Sequence, residues 1–318
     1  MLHRLRFIPG RIIQSIPVAL GVTLIVFFMA HLLPGNAALA LLGQRATKAS
    51  VAALSAHLGL DKPLWQQYFI FLGDLFRGNL GESLTYQTPV VGLVLQAIPV
   101  TLSLLLFALI LALAISIPLA ALASFRPGGA RDLGVRGFTL LGQGMPQFWL
   151  GIMLILLLGV TVRLFPVGGY GQSAADHLYY LFLPSLTLAI AMCPTIIRSL
   201  RSSMINVLGS EYVGTAKSKG AYGVGLFRGH VLRNAAIPTV SVVGVNLGFL
   251  VGGSLVIERV FALPGLGSLM INSIFTRDFP TIQGVTLFVA LFVVVVGILT
   301  DVVYTLLDPR VDLSGASA

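Results

Sequence analysis

Few side chains in this sequence could do covalent chemistry, and none stands in a pattern that would. The five histidines, His3, His31, His57, His177 and His230, lie far apart along the chain. No HExxH or CxxC spacing gathers metal ligands, so no metal site is expected. No G-x-x-x-x-G-K-S/T loop is present to cradle a nucleotide phosphate, and no G-x-S-x-G turn to raise a nucleophilic serine. The single cysteine, Cys193, sits in an apolar run and reads as a packed thiol. The stretch that stands out is 211–238, EYVGTAKSKGAYGVGLFRGHVLRNAAIP, polar and basic between long apolar runs. The chemistry it offers is recognition. A membrane protein that exposes such a segment on one side can touch a soluble partner there, so this chain reads as a non-enzymatic subunit whose motor lies elsewhere.

The rest of the sequence must position that segment. Of 318 residues, 56% are hydrophobic and 10% charged, whereas a soluble domain carries roughly 25% charged residues. The expected class is therefore all-α and polytopic. The net charge of +9 does not point to nucleic acid, because the basic residues sit in short loops between apolar runs rather than on one soluble face. Runs long enough to cross a bilayer fall at about Ile12–Leu33, Pro99–Ser124, Phe138–Val160, Tyr179–Ile197, Ala235–Ile257 and Thr281–Leu307. The first follows Arg4, Arg6 and Arg11 and could be a signal peptide, but it is long, lacks a small-residue cleavage site and stops at Leu33-Pro34-Gly35, which favours an uncleaved span. With the N-terminus inside, 13 Lys and Arg lie on the inner side and 7 on the outer, four of those seven in one long loop. Both termini are thus expected in the cytoplasm, together with the loop 211–234.

Four regions are expected: residues 1–34 as the first span, 35–96 as an outer region with amphipathic helices, 97–308 as the main membrane-spanning core and 309–318 as a cytoplasmic tail. In the outer region, Asp61-Lys62-Pro63 reads as a helix start with a capping aspartate. Leu64, Tyr68, Leu72 and Leu75 then come at helical spacing, with Trp65, Phe69 and Phe76 beside them. That helix would lie on the outer membrane surface or cap the bundle. Pro127-Gly128-Gly129 and Pro264-Gly265-Leu266-Gly267 read as turns, the latter in an outer loop 258–280.

Within the polar segment, 211–219 suits a short helix: Glu211 in the first turn and Lys217 and Lys219 near the end complement the helix dipole. Gly220 suits a left-handed C-terminal cap. A second amphipathic stretch, 224–234, leads to Pro238 and the fifth span. A plain solvated basic loop is the alternative to a partner-docking helix. Polar residues inside apolar runs are costly and often face a cavity. Gln143, Gln147 and Asn246 are the pore candidates, with interhelical hydrogen bonding as the competing role for Asn246. Asp301 would sit or pair at the inner surface. Gly248, Gly252 and Gly253 suit close helix packing, and Pro194 a bend in the fourth span.

This pattern resembles the permeases of binding-protein-dependent ABC importers, in particular the dipeptide/oligopeptide/nickel permease family. Glu211-Tyr212-Val213, Thr215-Ala216-Lys217 and Lys219-Gly220 are similar to that family's cytoplasmic signature, with Gly214-Thr215-Ala216 in place of Glu-Ala-Ala. Leu33-Pro34-Gly35, Leu58-Gly59-Leu60-Asp61-Lys62-Pro63, Gly78-Asn79-Leu80-Gly81, Phe148-Trp149-Leu150-Gly151, Arg201-Ser202-Ser203-Met204, Leu232-Arg233-Asn234-Ala235, Glu258 with Val260-Phe261, and Leu307-Asp308-Pro309-Arg310 extend the resemblance over most of the chain. The loop between the third and fourth spans is shorter than in some relatives.

The resemblance implies the type I importer permease fold in a bacterial plasma membrane. It implies a homologous second permease, two ABC ATPase subunits that bind the ATP and magnesium, and an extracytoplasmic substrate-binding protein, with no cofactor in this chain. It implies ATPase coupling through Glu211, Tyr212, Thr215, Ala216, Lys217, Lys219 and Gly220. Peptides are the first expected substrate, glutathione or nickel chelates the alternatives. A stand-alone secondary transporter would more often show repeated halves, interrupted helices and intramembrane carboxylates.

Overall fold

The computed structural model describes residues 8–32, 47–57 and 61–307. The expected stop at Leu33-Pro34-Gly35, the matches at Leu58-Gly59-Leu60 and Asp308-Pro309-Arg310, the leading Arg4 and Arg6 and the tail 309–318 lie outside them. The described residues form helices and no strand: α1 (Ile8–Leu32), α2 (Lys48–His57), α3 (Leu64–Phe76), α4 (Val90–Ser124), α5 (Ala130–Gly144), α6 (Gln147–Thr161), α7 (Ala174–Leu208), α8 (Glu211–Ser218), α9 (Gly223–Val260), α10 (Leu266–Thr276) and α11 (Phe279–Leu307).

Among them, α1, α4, α7, α9 and α11 are long and apolar enough to cross a membrane. The expected third span, Phe138–Val160, is not one rod. Met145 and Pro146 interrupt it, and α5 and α6 meet at 106°. The reason is local: Met145 precedes a proline, which disfavours the helical conformation there, and both Met145 and Pro146 are extended. Counted as one broken span, the pair makes six crossings.

Several spans outrun their apolar runs. α4 begins at Val90 rather than Pro99 and is 35 residues long, about 52 Å at 1.5 Å per residue, well beyond the ~30 Å hydrocarbon core. α7 is also 35 residues, Ala174–Leu208 rather than Tyr179–Ile197, and passes through Pro184 and Pro194 as one helix. A capping box starts it: Ser173 Oγ accepts from the Asp176 N–H at 3.2 Å and the Asp176 carboxylate accepts from the Ser173 N–H at 3.1 Å. The stretch 224–234 is not a separate amphipathic element but the start of α9, joined to the fifth span through a π-helical turn at Phe227–Leu232.

The core lies between α4 and α7. A row of small residues on α4, Ala108, Ala112, Ala120 and Ala123, is fully buried against Leu188, Ala189, Cys193 and Ile196 of α7. In a membrane, where lipid tails are as apolar as leucine, such rows let backbones approach and gain dispersion contacts. Cys193 packs there with its thiol 3.8 Å from the Ala112 carbonyl. A second close crossing joins α9 to α11, where a Cβ on Gly244 would collide with the Thr300 side chain.

The two ends of the bundle differ. At one, here the α8 face, lie the C-termini of α4, α7 and α11 and the N-termini of α1 and α9. Asp301 is paired there with Arg11 of α1 at 3.1 Å. At the other, the α10 face, α3 rests on α1: Tyr68 and Thr23 share a hydrogen bond of 2.9 Å, and Phe27 meets the Tyr68 ring edge-on. Pro63, not Asp61, occupies the N-cap of α3, and no side chain caps it. Trp65, Phe69 and Phe76 remain exposed along α3. The expected loop 258–280 contains the helix α10.

Candidate functional site

Glu211 lies in the first turn of α8 and Lys217 in the last. Thr215 and Ser218 turn their hydroxyls back onto the Glu211 and Gly214 carbonyls at 3.1 and 3.2 Å, so these side chains are spent within the helix. The end is a Schellman turn: Gly220 N–H donates to the Lys217 carbonyl at 2.9 Å and Ala221 N–H to the Ala216 carbonyl at 3.0 Å. Gly220 takes φ +87°, a left-handed conformation favoured by the absence of a Cβ.

Three apolar side chains fix the segment to the bundle. Val213 is fully buried, Val231 nearly so, and Leu226 is 7% exposed. The Phe227 ring meets Phe125 at the end of α4, 6.0 Å between centroids. Around them everything faces outward. Glu211, Tyr212, Thr215, Lys217, Lys219 and Gly220 are exposed and Ala216 half-buried; Tyr222 and Val224 are more than two-thirds exposed. A cleft of about 490 Å³ separates Lys217 and Leu226 from the ends of α4 and α7. The segment thus presents a short, well-terminated helix with Glu211, Tyr212, Lys217 and Lys219 open at its surface.

Sequence reading missed a second feature of this face. Asp132, in the first turn of α5, is fully buried. Its Oδ1 accepts from Arg201 Nε at 2.6 Å, and its Oδ2 from Arg201 Nη2 at 2.8 Å, Arg136 Nη2 at 2.9 Å and the Gly128 N–H at 2.9 Å. The Asp132/Arg136 spacing of four was a usable helix signal. The partner on α7, 69 residues away, left no local trace.

The pore candidates are not brought together. Gln143, exposed on α5, accepts from Arg198 of α7 at 2.8 Å. Gln147, just past the break, lies against Gly253 of α9. Asn246 donates to the Val242 carbonyl of its own helix at 2.7 Å, not to a neighbouring helix. Of the three glycines expected at helix contacts, only Gly253 is tight: Gly248 makes one ordinary contact, and Gly252 faces open space. The apolar cleft of about 450 Å³ between α4, α7, α9 and α11 includes none of the three polar candidates. Among the described residues, no group of three or more His, Cys, Asp or Glu could hold a metal ion.

The model of the family "Binding-protein-dependent transport system inner membrane component" matches residues 116–313, and its N-terminal companion matches 4–105. The chain belongs to this family. Among its relatives are a putative peptide transport system permease of Brucella suis, 37% identical over 95% of this chain and 97% of that one; the oligopeptide permease AppB of Bacillus subtilis, 35% identical over 96% and 99%; and the dipeptide permease DppB of Escherichia coli, 35% identical over 96% and 98%. Among solved structures, the inward-facing MetNI methionine ABC transporter aligns with TM-score 0.55 and 19% identity over 68% of this chain and 96% of that one. The type I importer permease fold is established by this likeness, and the protein is a multi-pass inner membrane component of a transport system.

Proposed function

We propose that this permease forms half of the path by which an ATP-driven importer takes up peptides, and that α8 is its contact with a cytoplasmic ATPase. The observation that carries the reading is the outward-facing helix Glu211–Ser218, ended by Gly220, in a segment anchored through Val213, Leu226, Phe227 and Val231. The peptide transport named for all three relatives supports the substrate class. The α8 face is the cytoplasmic side: its loops and helix ends carry Arg126, Arg131, Arg136, Arg198, Arg201, Lys217, Lys219, Arg228 and Arg233, the excess that cytoplasmic loops retain. Both termini then lie inside.

On this reading, a homologous second permease completes the pathway, and two ATPase subunits bind ATP and magnesium. Closure of the ATPases displaces α8, the spans rock open toward the outside, and a docked binding protein releases its cargo. The tagged chain, purified in mild detergent, should bring a second permease and ATPases with it, and the binding protein should stimulate their ATP hydrolysis. Gly220→Asp should leave that hydrolysis in place while uptake falls. A lone chain that transports without ATP would overturn the reading, and normal uptake by Gly220→Asp would remove the turn's role.

A further inference from the structure

The broken third span and the buried carboxylate beside it belong to one device. α5 is tied to α7 at three points. Asp132 holds Arg201 in a two-pronged contact at 2.6 and 2.8 Å. Gln143 accepts from Arg198 at 2.8 Å. Gly142 lies so close to Pro194 that a Cβ there would come within 3.1 Å of the proline ring. α7 ends at Leu208, and only Gly209 and Ser210 separate it from α8, so a force that displaces α8 acts directly on the end of α7 that α5 is fastened to. Beyond the two extended residues Met145 and Pro146, α6 leaves at 106° and wedges between α7 and α9, with Gln147 against Gly253 and Gly151 against Phe261.

We propose that Asp132 and Arg201 are positioning residues for coupling: their contact makes α5 and the lower half of α7 one body that carries α8, and Met145-Pro146 is the hinge that passes its displacement to α6 and α9. The physical basis is the bidentate pair itself. Its planar fork fixes orientation as well as distance, and Asp132 is fully buried with its acceptor sites filled, so the joint has no slack. A two-residue extended break is the kind of element that absorbs backbone rotation between two packed bodies. Gln143 and Gln147 flank this hinge, one on each arm, the first meeting Arg198 of α7 and the second lying against Gly253 of α9. The inference rests on the reading of α8 as the ATPase contact.

The test uses the complete transporter with its binding protein in proteoliposomes, and a defined pool of di- and tripeptides quantified by mass spectrometry. Uptake per ATP hydrolysed is measured for the wild type, Asp132→Asn, Arg201→Lys, their double variant and Arg136→Gln. Arg201→Lys keeps the charge and loses the fork, so it carries the test should Asp132→Asn fail to assemble. Both single variants should keep ATP hydrolysis within about twofold while uptake per ATP falls about tenfold or more, in the range of ordinary coupling energies. The double variant should be no worse than the weaker single one. Arg136→Gln, which leaves the Arg201 fork in place, should lower uptake per ATP less than Arg201→Lys does, because Arg136 meets Asp132 from the same helix; an equal loss would overturn the fork as the joint. An unchanged ratio in Asp132→Asn or Arg201→Lys overturns the clasp. So does a fall of hydrolysis and uptake together in proportion to lost complex, which marks a structural role only. A wild-type complex that hydrolyses ATP without taking up any of the pool overturns the peptide reading and this use of the clasp with it.

Discussion

The two faces of this permease solve opposite problems with the same residue types. On the α10 face, carboxylates are buried and satisfied by hydroxyls and backbone N–H groups of the same chain. Glu258, at the end of α9, is fully buried and accepts from Thr101 Oγ1 at 2.7 Å, the Gly267 N–H at 2.7 Å and the Ser268 N–H at 3.3 Å. It thereby satisfies the N-terminus of α10 and ties it to α4. Asp278, also fully buried, accepts from the Ser83 hydroxyl, the Leu84 N–H at 3.1 Å and the Thr281 hydroxyl at 2.8 Å, fastening the loop after α3 to the start of α11. On the α8 face, Glu211, Lys217 and Lys219 are exposed and α8 has no side-chain cap at Ser210. The α10-face carboxylates are satisfied within the chain, as Asp132 is on the α8 face, whereas Glu211, Lys217 and Lys219 stay open on α8. A polar residue bound by its own fold is a joint, and one left open at a well-terminated helix is available for contact.

Substitutions on the two faces put that contrast to the test. The largest effect is expected at Glu258→Leu, which strands the buried Gly267 N–H, the half-buried Ser268 N–H and the buried Thr101 hydroxyl, and should lower stability by about 3 kcal/mol, read as a fall in the thermal midpoint in detergent. An unchanged midpoint would mean that the α10 face is not locked as described. Next is Gly267→Ala, where the new Cβ would collide with the Leu255 Cα, a backbone clash that cannot be relieved by a rotamer and should cost about 1–3 kcal/mol. Val213→Ala on the α8 face should cost about 1.5 kcal/mol, from lost burial and a small cavity. Its signature is faster hydrogen exchange confined to 210–222 rather than a lower midpoint for the bundle. Gly220→Ala meets no neighbour and should cost about 1 kcal/mol from its left-handed φ alone. The smallest stability change, within about 0.5 kcal/mol, is expected for Tyr212→Ala. That variant should nonetheless weaken retention of the ATPase during purification; full retention would remove Tyr212 from the contact.

Much of this contrast is legible in the residues alone, though unevenly. The spans announce themselves because twenty apolar residues in a row have few other fates, and Gly220 because a glycine after a dipole-matched short helix has one favoured role. The break at Met145-Pro146 is written in the same residues, but the apolar pattern on either side reads continuously, so periodicity masks it. Glu258 and Asp278 read as loop carboxylates, since charge is visible in a sequence and burial is not. α10 is hidden behind Pro264-Gly265, which marks a turn and carries no signal for the helix after it. Asn246 can be placed in a span but not given its partner, which is its own helix.

Composition and interactions a few residues long are enough to establish that this chain spans a membrane, which face gathers the positive charge, and where along it a short polar helix begins and ends. Tertiary packing alone sets the meeting of Asp132 with Arg201, the tie of Glu258 to Thr101 of α4, and the tight crossing at Gly244 rather than Gly252. Each of these pairs or separates groups through the packing of helices that lie far apart in the chain, and helix packing in a bilayer turns on the fit of side chains across an interface, which no local pattern encodes.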